Sequence, residues 1–242
     1  MKLQRLYSYT RQAIDMYNMI NDDDRIAIGV SGGKDSLTLL YALSGLRKFY
    51  PVNYNLEAIL VDLGSKNMNY VYINNLCKQL DVKLHVVETK ISSIVFDERK
   101  ESNPCSLCSK LRKGALNEKA LELGCSKVAY AHHKDDFIET MMLSLMYEGR
   151  FSTFLPVTNW DKTGLTLIRP LMLISESEII GFSNKYDLPI IKNPCIADGN
   201  TKREYVKDLL RQINLDNPGV KNRLFTAILN GNIEGWPNQI TL

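Results

Sequence analysis

The sequence predicts an α/β fold, a Rossmann-like parallel sheet with helices on both faces, and three observations carry that expectation. Apolar runs such as Ile26-Ala27-Ile28-Gly29-Val30 and Ala58-Ile59-Leu60-Val61 are continuous rather than alternating, as in strands buried on both faces. Segments of helical periodicity stand between such runs in regular succession, which is the order that builds a parallel sheet. The 242 residues, 45% of them hydrophobic, are enough for a full core.

Taken in order, Leu3, Leu6, Ala13, Ile14, Tyr17 and Ile20 recur at helical spacing, and Asn21 to Asp24 end the pattern with turn-favouring residues. Residues 1–24 thus read as an N-terminal helix. A strand is expected over 25–30, a helix over 35–49, a strand over 56–62, a helix over 68–80 and a strand over 83–87. Beyond a polar segment come a helix over 108–123, a strand over 127–131 and a helix over 135–147. The last third is less regular, with a strand over 165–168, a helix opened by the Ser175 and Glu178 capping box, and a helix over 201–213.

Composition narrows the function classes. A formal charge of +3 and a pI near 8.5 permit nucleic-acid contact without demanding it. The sequence holds no eighteen-residue apolar run and no secretory-type segment, so a soluble, cytoplasmic protein without a membrane role is expected. Five cysteines, an odd number, argue against a disulfide framework and for metal or redox chemistry at some of them.

Chemistry concentrates at Ser31-Gly32-Gly33-Lys34-Asp35-Ser36, which follows the first strand and opens a helix. Glycines that tolerate φ > 0 let backbone approach an anion, and the first turn of a helix points unpaired N–H groups at it. Lys34 adds charge, Ser31 and Ser36 add hydroxyls, and the spacing is not that of the kinase and GTPase P-loop. Cys105 and Cys108 form a C-x-x-C at a loop-to-helix junction behind Pro104, a spacing that suits a metal, a cluster or a redox pair. Cys77, inside a helical pattern, and Cys125, ahead of an apolar strand, read as small buried hydrophobes, and His85 as a structural mid-strand residue. His132 and His133 end a strand where Asp135 and Asp136 begin a helix; these carboxylates either complement the helix dipole or hold Mg²⁺ near the glycine loop.

The hexapeptide after a first strand resembles the signature of the PP-loop ATP pyrophosphatases, which split ATP between the α and β phosphates and adenylate a substrate oxygen. The resemblance continues at Cys105-Ser-Leu-Cys108-Ser-Lys-Leu-Arg112, Ala131-His132-His133-Lys134-Asp135-Asp136, Ile168-Arg169-Pro170-Leu171 and Pro189-Ile190-Ile191 ahead of Cys195. In order and number these segments are similar to the tRNA 2-thiocytidine synthetase branch. The resemblance implies a PP-loop ATP-binding domain with a C-x-x-C insertion over residues 25–160 and a C-terminal segment, 161–242, completing the sheet and cluster site. It implies ATP on Val30, Ser31, Gly32, Gly33, Lys34, Asp35 and Ser36, with Asp62 lining the adenine site and Arg112, His133 and Asp135 near the phosphates. Lys34, Asp35 and Asp136 are the implied catalytic residues, with Mg²⁺ on Asp35 and Asp136. A 4Fe-4S cluster on Cys105, Cys108 and Cys195 is implied, zinc being the alternative; relatives carry a second cysteine three residues earlier, where this chain has Lys192.

The implied reaction is attack of a pyrimidine C2 oxygen of tRNA on the α-phosphate, loss of pyrophosphate, and displacement of AMP by sulfur from a cysteine desulfurase or sulfide. A homodimer is a further implication. Lys110, Lys113, Arg169, Lys202 and Arg203 are the candidate RNA contacts, against the alternative that such runs are solvated helix faces. Two rival readings stay open: a PP-loop synthetase or amidotransferase acting on a small molecule, and a non-catalytic zinc- and nucleotide-binding module.

Overall fold

The computed structural model describes residues 1–64, 70–99, 104–160, 163–191 and 201–231. Among them six strands form one sheet in the order β3-β2-β1-β4-β6-β5, with β1 Asp24–Gly29, β2 Tyr54–Asp62, β3 Lys83–Glu88, β4 Lys127–Ala129, β5 Val157–Trp160 and β6 Leu165–Ile168. All neighbours are parallel except the antiparallel pair β5 and β6. The helices are α1 Leu3–Met16, α2 Lys34–Leu46, α3 Val71–Gln79, α4 Ile91–Ser93, α5 Pro104–Glu122, α6 Lys134–Glu148, α7 Glu176–Lys185, α8 Lys202–Asp216 and α9 Val220–Asn230.

Period-two burial sorts each strand between two cores. Ile26, Ile28, Ala58, Leu60, Ala129 and Ile168 face the larger one, where Leu6, Ile14, Leu39, Leu43, Phe137, Met141, Ile179 and Phe182 cover the sheet from α1, α2, α6 and α7. Ala27, Ile59, Val128, Leu165 and Leu167 face the other, covered by Leu116 and Ala120 of α5. The central strands are apolar on both faces because both faces are covered, which is why the sequence showed them as unbroken runs.

From β1 the chain steps outward through β2 to β3, then returns to place β4 on the opposite flank of β1. Between β1 and β4 lies the topological switch point of the sheet, and the crevice outside their carboxyl ends is where an open α/β sheet binds ligands. The glycine loop leaves β1 there and the His132-His133 loop leaves β4 there.

The described elements match the sequence expectation with four differences. Helix α5 starts at Pro104 rather than 108, since proline is pre-set for the first helical position, and this moves both C-x-x-C cysteines into the first turn. Strand β5 was not expected: its Val-Thr-Asn-Trp is short, and only pairing with β6 across the Gly164 turn, φ +70°, makes it a strand. The polar segment after β3 forms the short helix α4, which continues as a wide helical stretch Ile94–Arg99 with Ile91 and Val95 buried. Helix α9 was unassigned; it buries Phe225 and Ile228 against the larger core. The structural readings of His85, Cys77 and Cys125 hold: His85 Nε2 lies 2.9 Å from Glu57 Oε2, and burial pushes both thiols up to about 11.

Lys127 on β4 is a buried cation, its Nζ 2.6 Å from Asp24 Oδ2 and donating to the Met19 carbonyl at 2.9 Å. Lys127→Met is expected to lower stability by about 2 kcal/mol, because the half-buried Asp24 carboxylate loses its cation and keeps only its hydrogen bonds from Asn21 N and Ser126 Oγ. Urea unfolding checks this as a drop in midpoint at unchanged slope.

Candidate active site

The glycine loop is built by its own backbone and serines. Val30 N donates to the Ile59 carbonyl at 2.8 Å, extending the β1 pairing by one residue. Gly32 then turns at φ +82°, where a Cβ would lie 3.2 Å from Ile191 Cβ and 3.3 Å from Ile73 Cδ1. Glycine is required there for conformation and for space. Gly33, with φ −80°, is extended, so the expectation of positive φ holds for Gly32 alone. Ser36 Oγ accepts from Ser31 N at 3.1 Å and donates to the Gly33 carbonyl at 3.0 Å, which closes the turn. As N-cap, Gly33 provides no side chain, leaving the first-turn N–H groups of α2 uncapped toward the crevice.

Across the crevice, His133 precedes α6. Its Nε2 is 3.7 Å from Asp35 Oδ1 and its Nδ1 is 3.4 Å from Asp136 Oδ2, so the buried ring lies between a carboxylate of α2 and one of α6. Asp136 Oδ2 accepts from His133 N at 2.9 Å, and Asp136 Oδ1 is 3.8 Å from Arg203 Nη1. Asp35 Oδ1 is buried without a hydrogen-bond partner. Such an orphaned hard oxygen is of the donor type that Mg²⁺ takes, while the Asp136 carboxylate stands on the far side of the His133 ring. Lys34 Nζ is 3.1 Å from Asp35 Oδ2 and 3.2 Å from Glu176 Oε1.

Several expected site residues are placed otherwise. Asp135 does not face the loop: Oδ2 accepts from Glu176 N at 2.7 Å and Oδ1 is 2.9 Å from Lys221 Nζ. Burial opposes its ionisation, but these bonds outweigh burial and hold its carboxyl below the usual range. Asp62 Oδ1 accepts from Gly64 N at 2.9 Å, closing the turn after β2; residues 65–69 beyond it lie outside the described residues.

Arg169 is buried and cannot serve as a surface RNA contact. Its Nε donates to His132 Nδ1 at 3.0 Å and its Nη1 donates to Thr158 Oγ1 at 3.2 Å and to the Leu155 carbonyl. Arg203, on α8, reaches across to α6, donating to Glu139 Oε2 at 3.2 Å and Thr140 Oγ1 at 3.1 Å. Lys113 Nζ sits 4.0 Å from the Trp160 ring centroid and Lys202 Nζ 4.4 Å from that of Tyr147, while Lys110 is exposed. Val30 is buried, Ser31 is exposed and Arg112 is half-buried.

Cys105 and Cys108 stand three residues apart in the first turn of α5, hence on one face of it, Cys105 exposed and Cys108 half-buried. Two thiols on one helical face at the surface fit a cluster or a zinc ion that takes a further ligand from elsewhere. Cys195 lies outside the described residues, and among the described residues no three His, Cys, Asp or Glu side chains converge as a metal site.

Sequence reasoning missed Glu176, Lys207 and Lys221. Glu176 Oε1 lies 2.9 Å from Lys207 Nζ as well as against Lys34. Burial would raise its pKa, yet Lys207 and Lys34 push it down to about 2. The Ser175 and Glu178 capping box marked the start of α7, but nothing in the pattern singled out the glutamate between them. The role of Arg169 was equally invisible. It fixes the tautomer of His132, because a guanidinium donating to Nδ1 leaves the proton on Nε2. Stacked on Phe154 at 4.3 Å, His132 is desolvated, and burial followed by Arg169 pushes its pKa down to about 3.

His132 therefore stays neutral in the fold down to about pH 3, whereas in the unfolded chain it protonates near 6.5. The unfolded state binds more protons between those values, so stability falls as pH drops through that window. His132→Gln is expected to flatten this dependence by close to one proton, read as the difference between urea unfolding free energies at about pH 7 and about pH 5. An unchanged pH slope in the variant would contradict the assignment.

Residues 6–215 match a family model described as a PP-loop domain. The tRNA-cytidine(32) 2-sulfurtransferase of Citrifermentans bemidjiense is 36% identical over 229 residues, covering 93% of this chain and 90% of that protein. The enzyme of the same name from Aliivibrio salmonicida is 39% identical over 232 residues, covering 95% of this chain and 76% of that protein. Among solved structures, the U34-tRNA thiolase NcsA from Methanococcus maripaludis with its 4Fe-4S cluster is similar at a TM-score of 0.77 and 27% identity, over 96% of this chain and 80% of that chain. An NH3-dependent NAD synthetase from Campylobacter jejuni, at a TM-score of 0.52 and 17% identity, shares the fold alone.

Proposed function

The chain belongs to the PP-loop family, and from that premise we propose that it is an ATP-dependent tRNA sulfurtransferase that converts a cytidine, at position 32, to 2-thiocytidine. The observation that carries the reading is the β1–β4 crevice. It sets an uncapped helix start and Lys34 against Asp35, His133 and Asp136, in a chain 36% identical over 93% of its length to sulfurtransferases of that specificity. The position follows these relatives rather than the more distant U34 thiolase.

In this reading Lys34 and the first-turn N–H groups of α2 hold the phosphates of ATP, and Gly32 lets the backbone come close to them. Asp35 and Asp136 would hold Mg²⁺, which neutralises phosphate charge. The cytidine C2 oxygen attacks the α-phosphorus, the α–β bridging oxygen leaves with pyrophosphate, and C2 then carries an adenylate. A sulfur nucleophile, from a cysteine desulfurase or as sulfide, adds at C2 and AMP departs. Cys105, Cys108 and Cys195 would hold the 4Fe-4S cluster, which when bound supplies an iron without a protein ligand for that sulfur. Arg112, one turn beyond Cys108 on α5, would reach the phosphates from the cluster side. No side chain forms a bond to ATP, so positioning and charge stabilisation supply the rate. Lys110, Lys113 and Lys202 remain as backbone contacts for tRNA.

Anaerobically purified protein is expected to turn ATP into AMP and pyrophosphate and to form 2-thiocytidine in tRNA lacking it, scored by nucleoside mass analysis. Lys34→Ala should lower pyrophosphate formation by about 100-fold or more while keeping the visible absorption of the cluster. Cys105→Ala, Cys108→Ala and Cys195→Ala should each abolish that absorption, and Cys77→Ala should keep it. ADP and phosphate as products would overturn the reading, as would stoichiometric zinc without iron for the cluster.

A further inference from the structure

Lys34 is held by two carboxylates. Its ammonium lies 3.1 Å from Asp35 Oδ2 and 3.2 Å from Glu176 Oε1. An ammonium has three N–H donors and no acceptor, so fixing two of them sets the direction of the third. Asp35 is the sequence neighbour of Lys34 and moves with it. Glu176 belongs to α7 and is a fixed point outside the loop.

Glu176 is itself held from two sides. Its Oε1 lies 2.9 Å from Lys207 Nζ of α8. Its backbone N–H donates to Asp135 Oδ2 at 2.7 Å, and Asp135 Oδ1 lies 2.9 Å from Lys221 Nζ of α9. A continuous series of charge-assisted contacts thus runs from α9 through Asp135 and Glu176 to the lysine of the glycine loop. The first turns of α2, α6 and α7 converge on it, since Lys34, Asp135 and Glu176 each stand at or next to the start of their helix. A lysine stem is flexible and loses rotamer freedom when aimed, so an anchor outside the loop has something to contribute.

We propose that Glu176 is a positioning residue for the nucleotide: it aims the Lys34 ammonium at the phosphates, while Lys207 and the Asp135–Lys221 pair hold Glu176 in place. The proposal rests on the assignment of the loop as an ATP site. Because two ammonium groups face the Glu176 carboxylate, its repulsion of phosphate is largely compensated, and aiming Lys34 is the larger effect.

The test is Mg–ATP binding by calorimetry to the full chain as wild type, E176Q, K34M and the double variant, with thermal unfolding as a control. E176Q is expected to weaken binding about tenfold, the scale of one charge-assisted hydrogen bond, and K34M by at least as much. The double variant should bind no more weakly than K34M alone, since a residue acting only through Lys34 has nothing left to position. K221M, two links beyond Glu176, should weaken binding about threefold in the wild-type background and not at all in K34M. Unchanged or tighter binding by E176Q overturns the proposal, and so does a double variant whose loss is the sum of the two. Should E176Q fail to fold, E176D, which keeps the charge but withdraws it by one methylene, is put through the same cycle with the same outcomes. A wild-type chain that binds no ATP overturns the nucleotide reading and this proposal with it, whereas tight wild-type binding that E176Q leaves intact overturns this proposal alone.

Discussion

The parallel pairing of β1 with β4 is the constraint on which the site depends. The register sets Ile26 against Lys127, Ala27 against Val128 and Ile28 against Ala129, so the two strands end at nearly the same height. From Gly29 and from Ala129 the chain takes five residues to reach the first residue of the following helix, Lys34 and Lys134 respectively. Two helices of the same face therefore begin side by side. Asp35 in the first turn of one comes within 3.7 Å of the histidine that opens the other without any loop having to reach. The buried Lys127–Asp24 pair stands at the opposite, amino-terminal end of this pairing, so it acts on the site only through the position of β4.

Three helix starts in one place concentrate partial positive charge, and the acidic side chains around them are arranged to use most of it. Asp136 accepts from the start of α6, Glu178 from the start of α7, and Asp135 ties the two helices together. Helix α2 is different, because its N-cap is a glycine without a side chain and its neighbour Gly32 is packed against Ile191 and Ile73. The fold thus spends its own anions on α6 and α7 and leaves α2 for an anion from outside. At the same spot Asp35 Oδ1 is buried without a hydrogen-bond partner.

What the sequence disclosed follows from what its patterns encode. The central strands and α2, α5 and α6 were legible because burial on both sheet faces and on one helix stripe writes long apolar patterns. Strand β5 and helix α9 were not, since each owes its existence to tertiary contacts: β5 to pairing with β6, and α9 to Lys221 on Asp135 and Phe225 in the core. At the site, the hexapeptide was legible because glycine, lysine and serine are each needed for a local reason. Glu176 was not, because its partners Lys34 and Lys207 are far away in sequence on either side, and a glutamate in a first helical turn is common for reasons of the dipole alone. Arg169 was misjudged for a related reason. It was expected as an RNA contact, while its guanidinium is taken up by His132, Thr158 and the Leu155 carbonyl beneath the surface.

The doubled residues of the His132-His133-Lys134-Asp135-Asp136 segment show why adjacency in sequence is a poor guide to shared chemistry. Successive residues at a helix start point about 100° apart, so two neighbouring carboxylates cannot face one ion from the same helix turn. Asp136 looks back at His133 and the crevice, while Asp135 looks toward α7 and α9. The histidines divide in the same way. His133 lies between Asp35 and Asp136, and His132 is withdrawn onto Phe154 with Arg169 fixing its tautomer. In each pair one member faces the nucleotide loop and the other holds the framework that keeps it there. The segment is thus two interleaved sets: Asp136 stands with His133 toward Asp35 across the crevice, and Asp135 belongs with Glu176 and Lys221.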